Sequence, residues 1–128
     1  MRRWPSLGLV LAAIWSVLGG LLFALFPAQA LSSFGLGTAT EALIISRDAG
    51  ITLIGLGIIN WLARNATGSP LRALLWGNIF ILVVDSAVNV WEIASGLIPV
   101  AAAASFVIPI VLMFVLVMGL RSAAQAGT

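Results

Sequence analysis

The sequence predicts an all-α membrane protein, a bundle of four transmembrane helices with both termini in the cytoplasm. Hydrophobic residues make up 62% of its 128 residues and charged residues only 8%, whereas soluble domains carry about 25% charge. Four apolar runs of about 20 residues or more follow one another, and each is long enough to cross a bilayer as a helix. The sequence lacks the alternating pattern of membrane β-strands.

The four runs are expected to form one domain, residues 1–128. The predicted spans cover about residues 6–26, 39–63, 71–95 and 98–120. The connectors between them are too short to hold an extramembrane domain. Any function must therefore reside within the bilayer, at its two surfaces or on a partner.

Small residues recur at every fourth position of the first span: Gly8, Ala12, Ser16 and Gly20. Such a stripe lets another helix backbone approach closely. The span is followed by Ala28-Gln29-Ala30, which resembles the cleavage site of a signal peptide. Because the apolar run exceeds the usual core of about 7–15 residues, we expect the first helix to be retained rather than cleaved after Ala30.

The second span is expected to follow an uncharged loop at residues 27–40, with Thr38 and Glu41 forming a capping box at its start. At about 100° per residue, one face of this helix collects small and polar residues and is predicted to pack against a neighbour. These residues are Ser46, Gly50, Gly57 and Asn60. Arg47 points away from that face.

The third span carries four polar side chains within an arc of roughly 60°: Asn78, Asp85, Asn89 and Glu92. The opposite face is apolar and includes Trp76, Phe80 and Trp91. One face therefore suits lipid, and the polar face suits the inside of a bundle.

Two features shape the fourth span. Gly96 is expected to end the third helix and Pro99 to begin the fourth, so that spans three and four form an antiparallel hairpin. Pro109 is expected to kink the fourth helix by freeing the carbonyl of Ser105.

Topology follows from the arginines. Five of the six basic residues fall at the N-terminus, in the second connector and at the C-terminus, which lie on one side of a four-span protein: Arg2, Arg3, Arg64, Arg72 and Arg121. The positive-inside rule assigns that side to the cytoplasm.

Arg47 is the exception, because it lies within the second span, where a charge needs a partner. We expect it to pair with Asp85, directly or through Asn89, and Glu92 is a shallower alternative. The polar network of Arg47, Asp85, Asn89, Asn78 and Glu92 has three interpretations. It holds the helices in register, it is an ion or proton site, or it binds a partner or ligand.

Missing residue types exclude many kinds of chemistry. The chain has no Cys, His, Lys or Tyr, which removes disulfides, thiolate and imidazole metal sites, haem ligation by His and Schiff bases. We therefore predict no catalytic residues, no metal, no cofactor and no enzyme activity. No basic cluster interleaved with aromatics is present to bind nucleic acid.

Three functions remain open. The first is an accessory or structural subunit of a larger membrane complex, whose partners are the lipid bilayer and other membrane proteins or a second copy. The second is a small dimeric transporter coupled to protons or cations through Asp85. Small multidrug transporters also have four spans, but their essential acidic residue lies in the first span, where this chain has none. The third is a lipid- or quinone-binding membrane protein.

The second span resembles one found in small bacterial four-span proteins of unknown function. The resemblance rests on Ser46-Arg47-Asp48-Ala49-Gly50, on Gly55-Leu56-Gly57, and on the stretch from Glu92 to Gly96 that closes the third span. It implies a multi-pass protein of the bacterial inner membrane with a four-helix bundle, and it implies no activity.

Overall fold

The computed structural model describes residues 3–125, which form helices and contain no strand. The helices are α1 (Arg3–Leu25), α2 (Pro27–Ser33), α3 (Thr40–Leu62), α4 (Gly68–Ala94) and α5 (Val107–Gln125), with a 3-10 segment, Val100–Phe106, leading into α5. Within this described part, four helices are long and apolar enough to cross a membrane: Trp4–Leu25, Thr40–Leu62, Gly68–Ala94 and Val100–Gln125. The prediction of an all-helical protein with four candidate spans is confirmed.

Helix α1 lies at the centre of the bundle. It packs along α3 on one side and along α5 on the other, and α4 packs mainly on α5. The hydrophobic core lies where α1, α4 and α5 meet, and consists of Leu9, Ala12, Leu71, Leu75, Ile79, Leu112, Leu116 and Ala123. Cleavage after Ala30 would remove this central helix, and Ala30 itself is fully buried within α2.

The backbones of α1 and α3 touch where they cross. A methyl group placed on Gly20 would lie 2.6 Å from the carbonyl oxygen of Gly50, and one placed on Gly50 would lie 2.6 Å from the backbone nitrogen of Ala24. Seven residues further along α3, a methyl group on Gly57 would lie 2.5 Å from the Val17 side chain. Only glycine permits this approach, so these positions determine how closely the two helices pack.

A side-chain hydrogen bond supports the same crossing. The Ser46 hydroxyl is 5% exposed and donates to the Phe23 carbonyl oxygen at 3.1 Å. Such polar contacts between helices add to the van der Waals packing that holds membrane helices together.

The small-residue stripe of α1 serves two neighbours. Gly8 faces Leu116 of α5, whereas Gly20 faces α3, and Ala12 and Ser16 between them are buried. The two glycines are 12 residues apart, which rotates the stripe by about 120° around the helix. One stripe can therefore contact α5 at one end and α3 at the other.

Both ends of the described chain lie at one end of the bundle. A methyl group on Gly119 of α5 would lie 3.0 Å from the Cα atom of Pro5 in α1. The 63–67 connector between α3 and α4 lies at this end as well, because the spans alternate in direction. We call it the connector end.

The structure differs from the predictions in two places around the start of α3. The expected loop at 27–40 contains α2, which begins with Pro27 and ends at Ser33. Just beyond it, Gly35 has a φ of 71°, which lets the Leu36 N–H reach the Leu31 carbonyl at 2.9 Å. The Thr38 capping box is wrong: α3 begins at Thr40, and its N-cap, Ala39, makes no side-chain cap. Glu41 lies in the first turn, where a carboxylate favours the helix dipole.

The C-terminal end of α4 forms as expected. Gly96 has a φ of 76°, and the Leu97 N–H donates to the Glu92 carbonyl at 2.9 Å, which is the bond that closes a helix at a glycine. In the fourth span, the change from 3-10 to α geometry falls between Phe106 and Val107, ahead of Pro109. Pro109 therefore lies just beyond this change, as the third residue of α5, and proline is tolerated in the first turn of an α-helix.

Candidate functional site

The polar residues of α4 divide into two groups in the structure. Asn78 is 5% exposed and lies in the core. Asp85 is exposed, and Asn89 and Glu92 are half-buried. Burial along α4 ends at Ile79, because the buried residues of this helix are Leu71, Leu75, Asn78 and Ile79. Beyond Ile79 no residue of α4 is fully buried, although Leu82 still packs against the core and the 3-10 segment contacts the helix.

Asn78 pairs with Asn60 of α3 through reciprocal amide hydrogen bonds. The Asn60 Nδ2 group donates to Asn78 Oδ1 at 2.9 Å, and the Asn78 Nδ2 group donates to Asn60 Oδ1 at 2.8 Å. Asn78 Nδ2 also donates to the Leu74 carbonyl at 2.8 Å. Asn60 is completely buried. The pair satisfies two amides that would be costly to bury alone.

The depths of the two asparagines in the sequence carry a signal for this pair. Asn60 precedes Arg64 by four positions, and Asn78 follows Arg72 by six. Both amides thus lie a similar distance inside the connector end. The sequence predicts Asn60 on a packing face of the second span and Asn78 in the polar stripe of the third. Their matching depth indicates that the two side chains can pair.

Asp85 and Asn89 contact each other one turn apart. Asn89 Nδ2 donates to Asp85 Oδ2 at 3.3 Å, and the contact is exposed. Asn78 faces α3, and Asp85 lies two turns further along the same side of α4. At that level α4 has moved away from α3, since the two helices make little contact beyond the asparagine pair. We call Ile81, Asp85, Val88, Asn89 and Glu92 the polar face of α4.

The expected contact between Arg47 and Asp85 is absent from the structure. Arg47 is exposed, and no hydrogen bond or ion pair within residues 3–125 joins it to Asp85, Asn89 or Glu92. On α3, Arg47 lies about 140° around the helix from Asn60. Since Asn60 faces α4, Arg47 points to the other flank of α3. The structure therefore does not bring Arg47 and Asp85 together, because Arg47 faces away from α4.

A third polar feature lies at the connector end. The Arg64 guanidinium carbon is 4.2 Å from the centroid of the Trp61 ring, and Arg64 Nη1 donates to the Trp61 carbonyl at 2.7 Å. This combines a cation–π contact with a bond that satisfies a carbonyl at the end of α3. The side chain is half-buried.

The site chemistry is that of hydrogen bonding and charge. Within the described chain, no group of three or more acidic side chains is placed to hold a metal ion. Ser46 and Ser105 donate to the backbone carbonyls of Phe23 and Ala102. On the polar face of α4, a carboxylate can accept hydrogen bonds, and an amide can both donate and accept them.

Fold and site together define a multi-pass membrane protein with four candidate spans and a polar face on α4 that is only partly buried by the described chain. No protein-family model, no curated protein and no solved structure matches this chain.

Proposed function

We propose that this protein is a subunit of a larger membrane assembly and that the polar face of α4 binds a helix of its partner. One observation carries the proposal: the Asp85 carboxylate is exposed within a candidate span, and its bonded partner is Asn89 of the same helix. Asp85 lies nine residues from the end of α4 at Ala94, which is about 14 Å along the helix.

A carboxylate exposed within a span is energetically unfavourable, and binding a partner lowers that cost. A charged residue near the centre of a span costs about 2.5–3.5 kcal/mol on insertion scales. A helix that brings a hydrogen-bond donor to Asp85 removes part of that cost. Ile81 and Val88 on either side of Asp85 are 42% and 46% exposed, and they supply apolar surface for the same contact.

The partner is tested by crosslinking at the proposed surface. A photoreactive amino acid replaces Val88, and in a matched control it replaces Ile110, which is 62% exposed on α5. We expect membranes to yield one discrete crosslinked product from position 88 and none from position 110. The same product is expected to co-purify at fixed stoichiometry in mild detergent.

Asp85→Leu separates binding from folding. Because Asp85 makes no contact with another helix through a hydrogen bond in the described structure, the variant is expected to fold like the wild type while losing the crosslinked product. A monomer without crosslinks at position 88, or equal crosslinking at both positions, would contradict the proposal. A crosslink of the chain to itself would identify a homo-oligomer as the assembly.

A dimeric proton- or cation-coupled transporter is the second candidate. The exposed Asp85 carboxylate favours it, because ionisable groups within spans often lie on ion pathways. Proton flux into proteoliposomes that disappears in Asp85→Asn would support this function. Flux that is unchanged in Asp85→Asn would exclude Asp85 as its site.

We infer further that the connector end faces the cytoplasm of a bacterial inner membrane. The support is the placement of Arg64 and Arg72 at that end and the resemblance of the second span.

A further inference from the structure

An apolar groove runs between α1 and α3 on the flank away from α5. Its volume is about 380 Å³, and its lining includes Ile14, Val17 and Leu18 of α1 and Gly57, Ile58 and Trp61 of α3. The groove carries no charged side chain. Leu18 and Ile58 are 61% and 51% exposed and form its open walls.

The close crossing of the two helices creates this groove. Gly57 has no side chain, so Val17 packs directly against its backbone. The larger side chains on either side project further outward and form the walls of the groove. The shape therefore follows from the same glycine that sets the distance between α1 and α3.

A cation lies at one end of the groove. Trp61 forms part of the lining, and the Arg64 guanidinium lies over its ring at 4.2 Å. Nη1 is used on the Trp61 carbonyl, and a guanidinium has five N–H donors. Within residues 3–125, no carboxylate lies within ion-pair distance of Arg64. From Gly57 to Arg64 is seven residues, or about 10 Å along a helix.

We propose that this groove binds one acyl chain of an anionic phospholipid and that Arg64 binds its phosphate. The arrangement matches the two parts of such a lipid. The uncharged groove lies at membrane depth and suits an acyl chain, and the guanidinium at the interface suits the phosphate. A guanidinium suits a phosphate because its donors can bind two phosphate oxygens at once. This site is independent of the polar face of α4 and does not depend on the proposed function.

The headgroup contact is tested by lipid titration of the intact purified protein. Native mass spectrometry measures binding of phosphatidylglycerol and of phosphatidylcholine with the same acyl chains. We expect the wild type to prefer phosphatidylglycerol, and Arg64→Gln to weaken that lipid about tenfold, in line with one charge-assisted bond. Arg72→Gln, near the start of α4 at the same end of the bundle, is the matched control and is expected to leave binding unchanged.

The groove itself is tested by filling it. Leu18→Trp is expected to lower the binding of both lipids, while Ile110→Trp on the exposed face of α5 has no effect. Ile58→Trp is a second filling variant for the case in which the first does not fold. Equal losses in Arg64→Gln and Arg72→Gln would show nonspecific surface charge and overturn the proposal. Unchanged binding in a folded groove-filling variant would overturn it too.

Discussion

The buried pair of Asn60 and Asn78 predicts an unequal response to mutation. In Asn78→Leu, the completely buried Asn60 amide loses its hydrogen-bond partner. Leaving a buried polar group unsatisfied costs about 1–3 kcal/mol, although hydrogen bonds between membrane helices average about 0.6 kcal/mol. We therefore expect Asn78→Leu to lower the free energy of unfolding by about 1–2 kcal/mol.

The reverse variant should cost less. In Asn60→Leu, the Asn78 amide keeps its bond to the Leu74 carbonyl at 2.8 Å. We expect a loss of about 0.5–1 kcal/mol, the range of one net hydrogen bond. The double variant removes both amides, so it should cost less than the two single losses added together. A coupling energy above about 0.5 kcal/mol would exceed the additivity error.

Reversible unfolding in mixed micelles, followed by circular dichroism, measures these free energies. Asn89→Leu is the matched control, because its amide makes one exposed contact at 3.3 Å. It should change stability by no more than about 0.5 kcal/mol. The reasoning is refuted if the double variant loses as much unfolding free energy as the two single variants together. It is also refuted if neither single variant loses more than Asn89→Leu.

Two further predictions concern packing and topology. Gly50→Ala should destabilise the bundle by about 1–3 kcal/mol in the same unfolding assay, because the new methyl group would lie 2.6 Å from backbone atoms of α1. Gly55→Ala is the control, because its new methyl group would have no atom within 4 Å. It should be neutral or should stabilise the protein by up to about 1 kcal/mol through its higher helix propensity. For topology, Asn65→Cys should resist a membrane-impermeant thiol reagent added outside cells and Leu97→Cys should react, since the chain has no other cysteine. Labelling in the opposite pattern would invert the assigned orientation.

The spans could be predicted from the sequence because backbone groups in hydrocarbon must bond within their own helix. Long apolar runs therefore become helices whatever surrounds them. Gly96 also stood out, because a glycine after a long helical run supplies the left-handed residue that closes the helix. In contrast, α2 was missed, since its seven residues are too few for a clear periodic pattern.

The candidate site was predicted only in part. Asn78 and Asn60 were each assigned to an inward face, and the structure places both in the core. Their pairing was missed because Asn78 was linked to Asp85 on its own helix. The assignment of Arg47 to Asp85 matched two charges by depth alone, and depth does not say on which flank of α3 a side chain lies.

Which residues share a face of a helix can be read from the sequence, because the rotation per residue is constant. Which neighbour each face meets depends on how the helices pack. Helix α1 lies between α3 and α5, and this order separates α3 from the outer half of α4. The physical reason is the close approach at Gly20 and Gly50. That contact holds α3 against α1, so that Asn60 bonds to Asn78 of α4 while Arg47 and Asp85 stay exposed.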